Sequence, residues 1–289
     1  MAKFSKNNAR ASLLQQNPWA NLPADAHKFS RGHVLVIGGS AGKFGAPCLT
    51  ALAALRSGAG WVSLALPEPA WRHQSLPLEF TFEDFFADGK IAAPALTKFL
   101  KERNCCAVVI GPGCLGSPLN DQIFHILKAF EDSGGVVVID AGALQEIAPL
   151  LAKNPLLQNK TILTPHPGEW QKMFGGNAIN PEQDEVGFCT AVDKLGVTVI
   201  YKSAAPIVYS AGGKISHLEG KNNKLARAGS GDVLAGMIGA HGAIGCDADF
   251  SAARSYVLLN AAANLAAGEV GEHGVIATDI IAKIGLVNQ

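Results

Sequence analysis

The sequence predicts an α/β fold with a mostly parallel central sheet and a hairpin at one edge. Short β-branched runs alternate with stretches of helical spacing, the order that parallel strands joined by crossover helices require. Most of the strand candidates are apolar at every position, as strands covered on both faces must be. Glycine clusters punctuate the strand ends, where an open α/β sheet gathers its ligands. With 289 residues, 48% hydrophobic and 17% charged, the chain holds enough apolar material for a large core. One domain over residues 1–289 is expected, with residues 1–30 as an N-terminal extension.

In chain order the strand candidates are His33–Ile37, Trp61–Leu66, Cys105–Ile110, Gly135–Asp140, Thr161–Thr164 and Val197–Lys202. Between them Ala46–Arg56, Ala95–Arg103, Asp121–Glu131 and Glu182–Leu195 carry helical spacing, and Gly58, Gly134 and Gly196 stand where C-terminal caps belong. After Lys202 the pattern changes. Pro206–Tyr209 and Lys214–His217 flank Ala211, Gly212 and Gly213 and read as the edge hairpin. Gly231–Ala243, Phe250–Val270 and Ala277–Ile284 are long, Ala-rich and mostly apolar, and are expected to pack as layers. The stretch Pro67–Ala93, with Phe80, Phe82, Phe85 and Phe86 among acids, reads either as a lid or as a loop wrapped onto the core.

Lys+Arg and Asp+Glu are equal at 24 each, so no basic excess exists to neutralise a phosphate backbone, and nucleic acid is not an expected partner. The cysteines Cys48, Cys105, Cys106, Cys114, Cys189 and Cys246 are scattered without the paired spacing of a zinc site or disulfide framework, and read as reduced core thiols. Met1 to Asn17 lacks the apolar stretch of a signal peptide. No uninterrupted apolar run reaches the ~18 residues that spanning a membrane takes. A cytoplasmic location is expected.

Three glycine clusters carry the chemistry. Gly38 to Gly42 fits the pattern of a hydrolase nucleophile elbow, but Gly42 to Gly45 prolong the loop where a helix should begin directly after Ser40. Gly111 to Gly116 fits a dinucleotide fingerprint, but Pro112 removes an amide and Ser117-Pro118 delay the helix that should hold a pyrophosphate. Both readings are set aside. The third cluster, Gly229-Ser230-Gly231-Asp232, opens a helix. It leaves unpaired amides at the positive end of the helix dipole and forms an anion hole for a phosphoryl group. Asp232, in the first turn, is placed to take a proton from a hydroxyl attacking that phosphorus, or merely to stabilise the helix terminus.

Taken in order, these motifs resemble the ADP/ATP-dependent NAD(P)H-hydrate dehydratase family, a branch of the ribokinase-like superfamily, from about His33 to Ile284. The resemblance rests on GHVLVIGGS from Gly32 to Ser40, GAP from Gly45, ALRSGAG ending at Gly60, IGPG from Ile110 and VIDA from Val138. LTPHPGE from Leu163, GSGDVLAG from Gly229 and EHGVIATD from Glu272 complete it. It implies a three-layer αβα fold and a lyase that phosphorylates the hydroxyl of a hydrated nicotinamide ring and eliminates phosphate, using ADP or ATP and Mg2+. Asp232 would be the base and Gly229, Ser230 and Gly231 the anion hole. Ala46, Gly113, His166 and Asp232 would contact the hydrated dinucleotide. Lys202, Ser203, Ala204, Ala205 and Pro206, with Gly231, would contact the adenine nucleotide. Glu169 either helps to position the metal that nucleotide phosphates bring or caps the following turn.

The chain departs from the family pattern at several positions. Arg227-Ala228 replaces Thr-Gly, Gly142 replaces the second Asp of Asp-Ala-Asp, and Ser203 and Pro206 replace a Gly and a Thr. Asn260 and Asn264 replace a His and an Asp. Pro206 removes a hydroxyl and an amide, and Arg227 could supply a phosphate ligand in return. Two other readings share the same residues, a small-molecule kinase of this fold and an inactive nucleotide-binding regulator. The resemblance also implies a homotetramer. The stretch before the first strand is too short for an epimerase domain, so a separately encoded epimerase is expected.

Overall fold

The computed structural model describes residues 12–66, 79–87, 90–114, 123–131, 135–145, 147–153, 160–175, 178–213 and 215–288. The strands are β1 (His33–Ile37), β2 (Trp61–Ala65), β3 (Thr81–Glu83), β4 (Phe86–Ala87), β5 (Lys90–Ile91), β6 (Ala107–Ile110), β7 (Val136–Ile139), β8 (Thr161–Leu163), β9 (Thr198–Tyr201), β10 (Ile207–Ser210) and β11 (Ser216–His217). The helices are α1 (Gly45–Arg56), α2 (Ala93–Arg103), α3 (Ile123–Glu131), α4 (Ile147–Lys153), α5 (Pro167–Met173), α6 (Glu185–Leu195), α7 (Ser230–Ala243), α8 (Ala248–Val270) and α9 (Ala277–Val287). Among the described residues nine strands form one sheet in the order β11-β10-β9-β8-β7-β6-β1-β2-β3. Pairing is parallel from β3 through β9, and antiparallel for β9 with β10 and β10 with β11.

The all-apolar strands divide their side chains by alternation between two cores. Val34, Val36, Val109, Val138 and Ile200 face a layer built from α1, α7, α8 and α9. Leu35, Ile37, Val108, Val137, Ile139 and Val199 face the layer of α2 to α6. Helix α7 lies close against its neighbours because its own residues are small. A Cβ added at Gly236 would stand 2.1 Å from the Thr50 carbonyl oxygen of α1, and one at Gly239 or Gly242 would meet Val109 or Val136 of the sheet at under 3 Å.

The N-terminal extension is docked onto this layer. Trp19 packs over Gly58, where a Cβ would stand 2.7 Å from the indole, and edge-on against the buried His241. Arg254 of α8, fully buried, donates to the Leu13 carbonyl and to Asn288 Oδ1. Asn288 in turn donates to the Ser57 carbonyl, and its own carbonyl accepts from Asn17.

Several boundaries differ from the sequence reading. Helix α6 begins at Glu185 because Asp184 caps it, accepting from the Gly187 amide; residues 181–183 form a turn. Ser57, with right-handed backbone, rather than Gly58, closes α1. The edge strand β11 is only Ser216–His217, and β10 also pairs antiparallel with β9. Helices α4 and α5, seven residues each, show no periodicity long enough to read. Within Pro67–Ala93, β3 joins the sheet, while β4 and β5 pair with each other and bury Phe85 and Ile91. Residues 67–78, 88–89, Asp121, Gln122, Gly134 and Lys214 lie outside the described residues. Only Cys105 and Cys114 of the six cysteines are fully buried; the others are half-buried, and all are free thiols.

Candidate active site

Strands β7, β8 and β9 are neighbours, and each delivers a polar residue at its carboxyl end: Asp140, Thr164 and Lys202. Asp140 is 2% exposed. Its Oδ1 accepts from the Thr164 hydroxyl and lies 2.8 Å from Lys202 Nζ. The Lys202 amide donates to the Pro165 carbonyl, so the lysine is fixed at its backbone as well as its tip. Burial works against the Lys202 charge, but Asp140 foremost, then Glu169 and Asp232, more than offsets it and raises its pKa above the ordinary lysine value.

Beyond β8 the chain turns directly into α5. His166 is the N-cap and Pro167 the first helical residue, where a missing amide costs nothing. His166 Nδ1 accepts from the Gly168 and Glu169 amides, and Glu169 Oε2 accepts from the His166 amide at 2.8 Å, a reciprocal capping box. Glu169 Oε2 also lies 3.9 Å from Lys202 Nζ.

On the opposite side of Lys202, α7 begins. Its N-cap Gly229 has a left-handed backbone, φ +93, and a Cβ there would crowd Ala277 and Leu49 at 2.9 Å. The Ser230 hydroxyl turns back to the Leu225 and Arg227 carbonyls, so this serine pins the loop and presents only backbone to the site. The amides of Gly231 and Asp232 have no hydrogen-bond partner among the described residues. Burial first, then the charges of Asp140 and Glu169, pushes the Asp232 carboxyl up to about 7, with Lys202 pulling the other way.

Two cavities meet at this point. One, of about 630 Å³, is lined by Ala46, Gly113, Gly142, His166, Glu169 and Asp232 among others. The second, of about 500 Å³, is lined by Lys202, Ser203, Ala204, Gly231, Tyr256 and Leu259 among others. Adjacent residues of one helix turn, Gly231 and Asp232, thus face different cavities. A family model described as NAD(P)H-hydrate dehydratase matches residues 34–285.

The chain belongs to the NAD(P)H-hydrate dehydratase family.

It is 35% identical over 218 residues to the bifunctional NAD(P)H-hydrate repair enzyme Nnr of Gloeobacter violaceus, covering 75% of this chain and 42% of that protein. It is 32% identical to the ADP-dependent (S)-NAD(P)H-hydrate dehydratase of Xanthomonas campestris, covering 93% of this chain and 92% of that one. The chain spans about half the length or less of the bifunctional repair enzymes it matches. A ribokinase-like superfamily protein from Enterococcus faecalis superposes with a TM-score of 0.76 at 22% identity, over 96% of this chain and 93% of that one. It establishes the ribokinase-like fold.

In this family member the residues expected at the dinucleotide site, Ala46, Gly113, His166 and Asp232, all line the larger cavity. Of the residues expected at the nucleotide site, Lys202, Ser203, Ala204 and Gly231 line the second cavity; Ala205 and the buried Pro206 do not. Arg227 donates to the His273 carbonyl, and Asn260 and Asn264 both accept from Asn222 beside the second cavity. Ser40 donates to the Gly113 carbonyl and tethers two loops. Asp140 and Thr164 join the site although the sequence assigns neither a role in it. Their local signals are a polar residue ending an apolar strand and a place in the VIDA and LTPHPGE motifs.

Proposed function

We propose that the protein returns (S)-NAD(P)H hydrate to NAD(P)H, using the terminal phosphate of an adenine nucleotide, with ADP the first choice because its full-length Xanthomonas relative is named ADP-dependent. The observation that carries this reading is the partition: a base with a raised pKa faces one cavity, while its neighbouring glycine and a half-buried lysine face the other. The hydrated dinucleotide occupies the larger cavity against Ala46, Gly113 and His166, and the nucleotide the second, against Lys202, Ser203, Ala204 and Gly231.

Asp232 takes the proton of the ring hydroxyl as its oxygen bonds to the terminal phosphorus, and the bond from that phosphorus to the nucleotide breaks. The Gly231 and Asp232 amides and the Lys202 ammonium stabilise the charge on the transferring group. The ring then expels phosphate and loses a proton from the adjacent carbon, restoring the double bond. Phosphorylation matters because hydroxide is a poor leaving group and phosphate a good one.

Among the described residues no cluster of His, Cys, Asp or Glu forms a metal site of its own. A Mg2+ that arrives with nucleotide phosphates needs only one or two protein carboxylates, and Glu169, in the wall of the larger cavity, would hold it and help screen phosphate charge. From the family resemblance we also propose a cytoplasmic homotetramer working beside an epimerase activity. Among the described residues no helix is long and apolar enough to cross a membrane.

The test is recovery of NADH absorbance from NADH hydrate with Mg2+ and ADP or ATP, comparing the native protein with Asp232→Asn. Recovery that needs nucleotide and disappears in the variant is expected. A stable phosphoester product with no NADH would instead make the protein a kinase, and nucleotide binding without either product would make it a regulator.

A further inference from the structure

We propose, on the dehydratase reading above, that Asp140 is a positioning residue: anchored by Thr164, it holds the Lys202 ammonium at the partition between the two cavities, where that ammonium meets the phosphoryl group in transfer. Asp140 lines neither of these cavities and is almost wholly buried, so any influence on the reaction passes through another group. Its partners name that group. One oxygen takes the Thr164 hydroxyl and the Lys202 ammonium together.

A lysine on a flexible four-carbon stem is a mobile point charge unless something fixes it. Here three neighbouring strand ends converge to do so, and the ammonium comes to rest 3.4 Å from where a Cβ on Gly231 would stand. That is beside the unpaired amides of α7, so cation and amides form one anion-binding surface. The alternatives open to Lys202 explain why the anchor matters. Glu169 is 3.9 Å away, and the Asp232 charge also acts on the same ammonium. Without Asp140, Lys202 would be drawn to the base and away from the phosphoryl path.

The experiment compares Asp140→Asn, which is isosteric and still able to accept from Thr164, with Asp140→Glu and Thr164→Val. In the native protein labelled with 15N-lysine, Lys202 is expected to show a distinct, slowly exchanging ammonium resonance, assigned by its loss in Lys202→Arg. Asp140→Asn should remove or shift that resonance and lower kcat by about 100-fold, the order of loss that a misplacement of roughly 1 Å brings. The nucleotide KM should change far less than kcat, by about threefold, because Ser203, Ala204 and Gly231 still line the nucleotide cavity when the Lys202 ammonium moves. Asp140→Glu should recover part of kcat, and Thr164→Val should lose less than Asp140→Asn.

A merely structural ion pair would behave differently. Loss of folding or of nucleotide affinity in every variant, native kcat in Asp140→Asn, or an ammonium resonance indifferent to Asp140 would each overturn the assignment. A held ammonium that depends on Asp140, in a native protein that turns over no NADH hydrate, would sink the dehydratase reading and leave the positioning of Lys202 standing.

Discussion

Asp232 sits among charges that disagree about its proton. Burial, Asp140 and Glu169 favour the protonated acid and Lys202 the carboxylate, with the balance near pH 7. A base works only when deprotonated, so dehydration should rise with pH through about 7 in the native protein. Lys202→Met removes the one opposing influence, and the acid limb of kcat/KM should move to higher pH. The same variant strands Asp140 in the core without its cation, a loss that typically costs about 3–5 kcal/mol and that urea unfolding would register. How far each site residue could be read from sequence follows from its neighbours. His166 lies between two prolines and Asp232 follows three residues that shape a helix start, so backbone restriction announces both. Asp140 finds Lys202 62 positions away, and only the pairing of β7, β8 and β9 brings them together.

Helix α7 carries the amides and base of the site at its first turn, and the glycines along its length decide how closely it can lie. On intrinsic propensity, Gly236→Ala should favour the helix by about 1 kcal/mol. The structure reverses the sign, since the new Cβ would meet the Thr50 carbonyl oxygen at 2.1 Å; overpacking of this kind costs about 1–3 kcal/mol, and thermal unfolding should show the loss. At α5 the expected effect is smaller. His166→Ala deletes the side chain that accepts from two amides and should cost about 1 kcal/mol, seen as a lower denaturation midpoint. The long apolar helices α7, α8 and α9 and the buried strands were legible because each holds its pattern over many residues. Short α4 and α5 were not, and β10 turned out antiparallel because a tight return after Lys202, rather than a crossover helix, joins it to β9.

Across the whole molecule the order of the sheet, with β1 between β2 and β6, escaped the sequence, because the central strands β1, β6, β7, β8 and β9 are alike in being apolar and buried and pairing preference lies in the connections. Acid stability is also a property at this scale. Burial, chiefly, lowers His33 and His241 to about 4. Each therefore binds a proton on unfolding between pH 4 and its ordinary value of 6.5. Asp232, raised to about 7, releases one over much of the same range. Two taken up and one released leave a net uptake near one proton, so stability should fall by about 1.4 kcal/mol per pH unit as pH drops through that window. In Asp232→Asn the fall should be about twice as steep, and urea titrations at successive pH values would measure both slopes. The clamp at Arg254 has a topological consequence. Asn17 and Asn288, 271 positions apart, are hydrogen-bonded, and Leu13 and Asn288 share one guanidinium, so the described part of the chain is already nearly a ring. A short linker joining those ends would close it with little distortion, and because the entropy of closure grows only with the logarithm of loop length, the chain could be reopened elsewhere on its surface as a circular permutant that keeps both cavities.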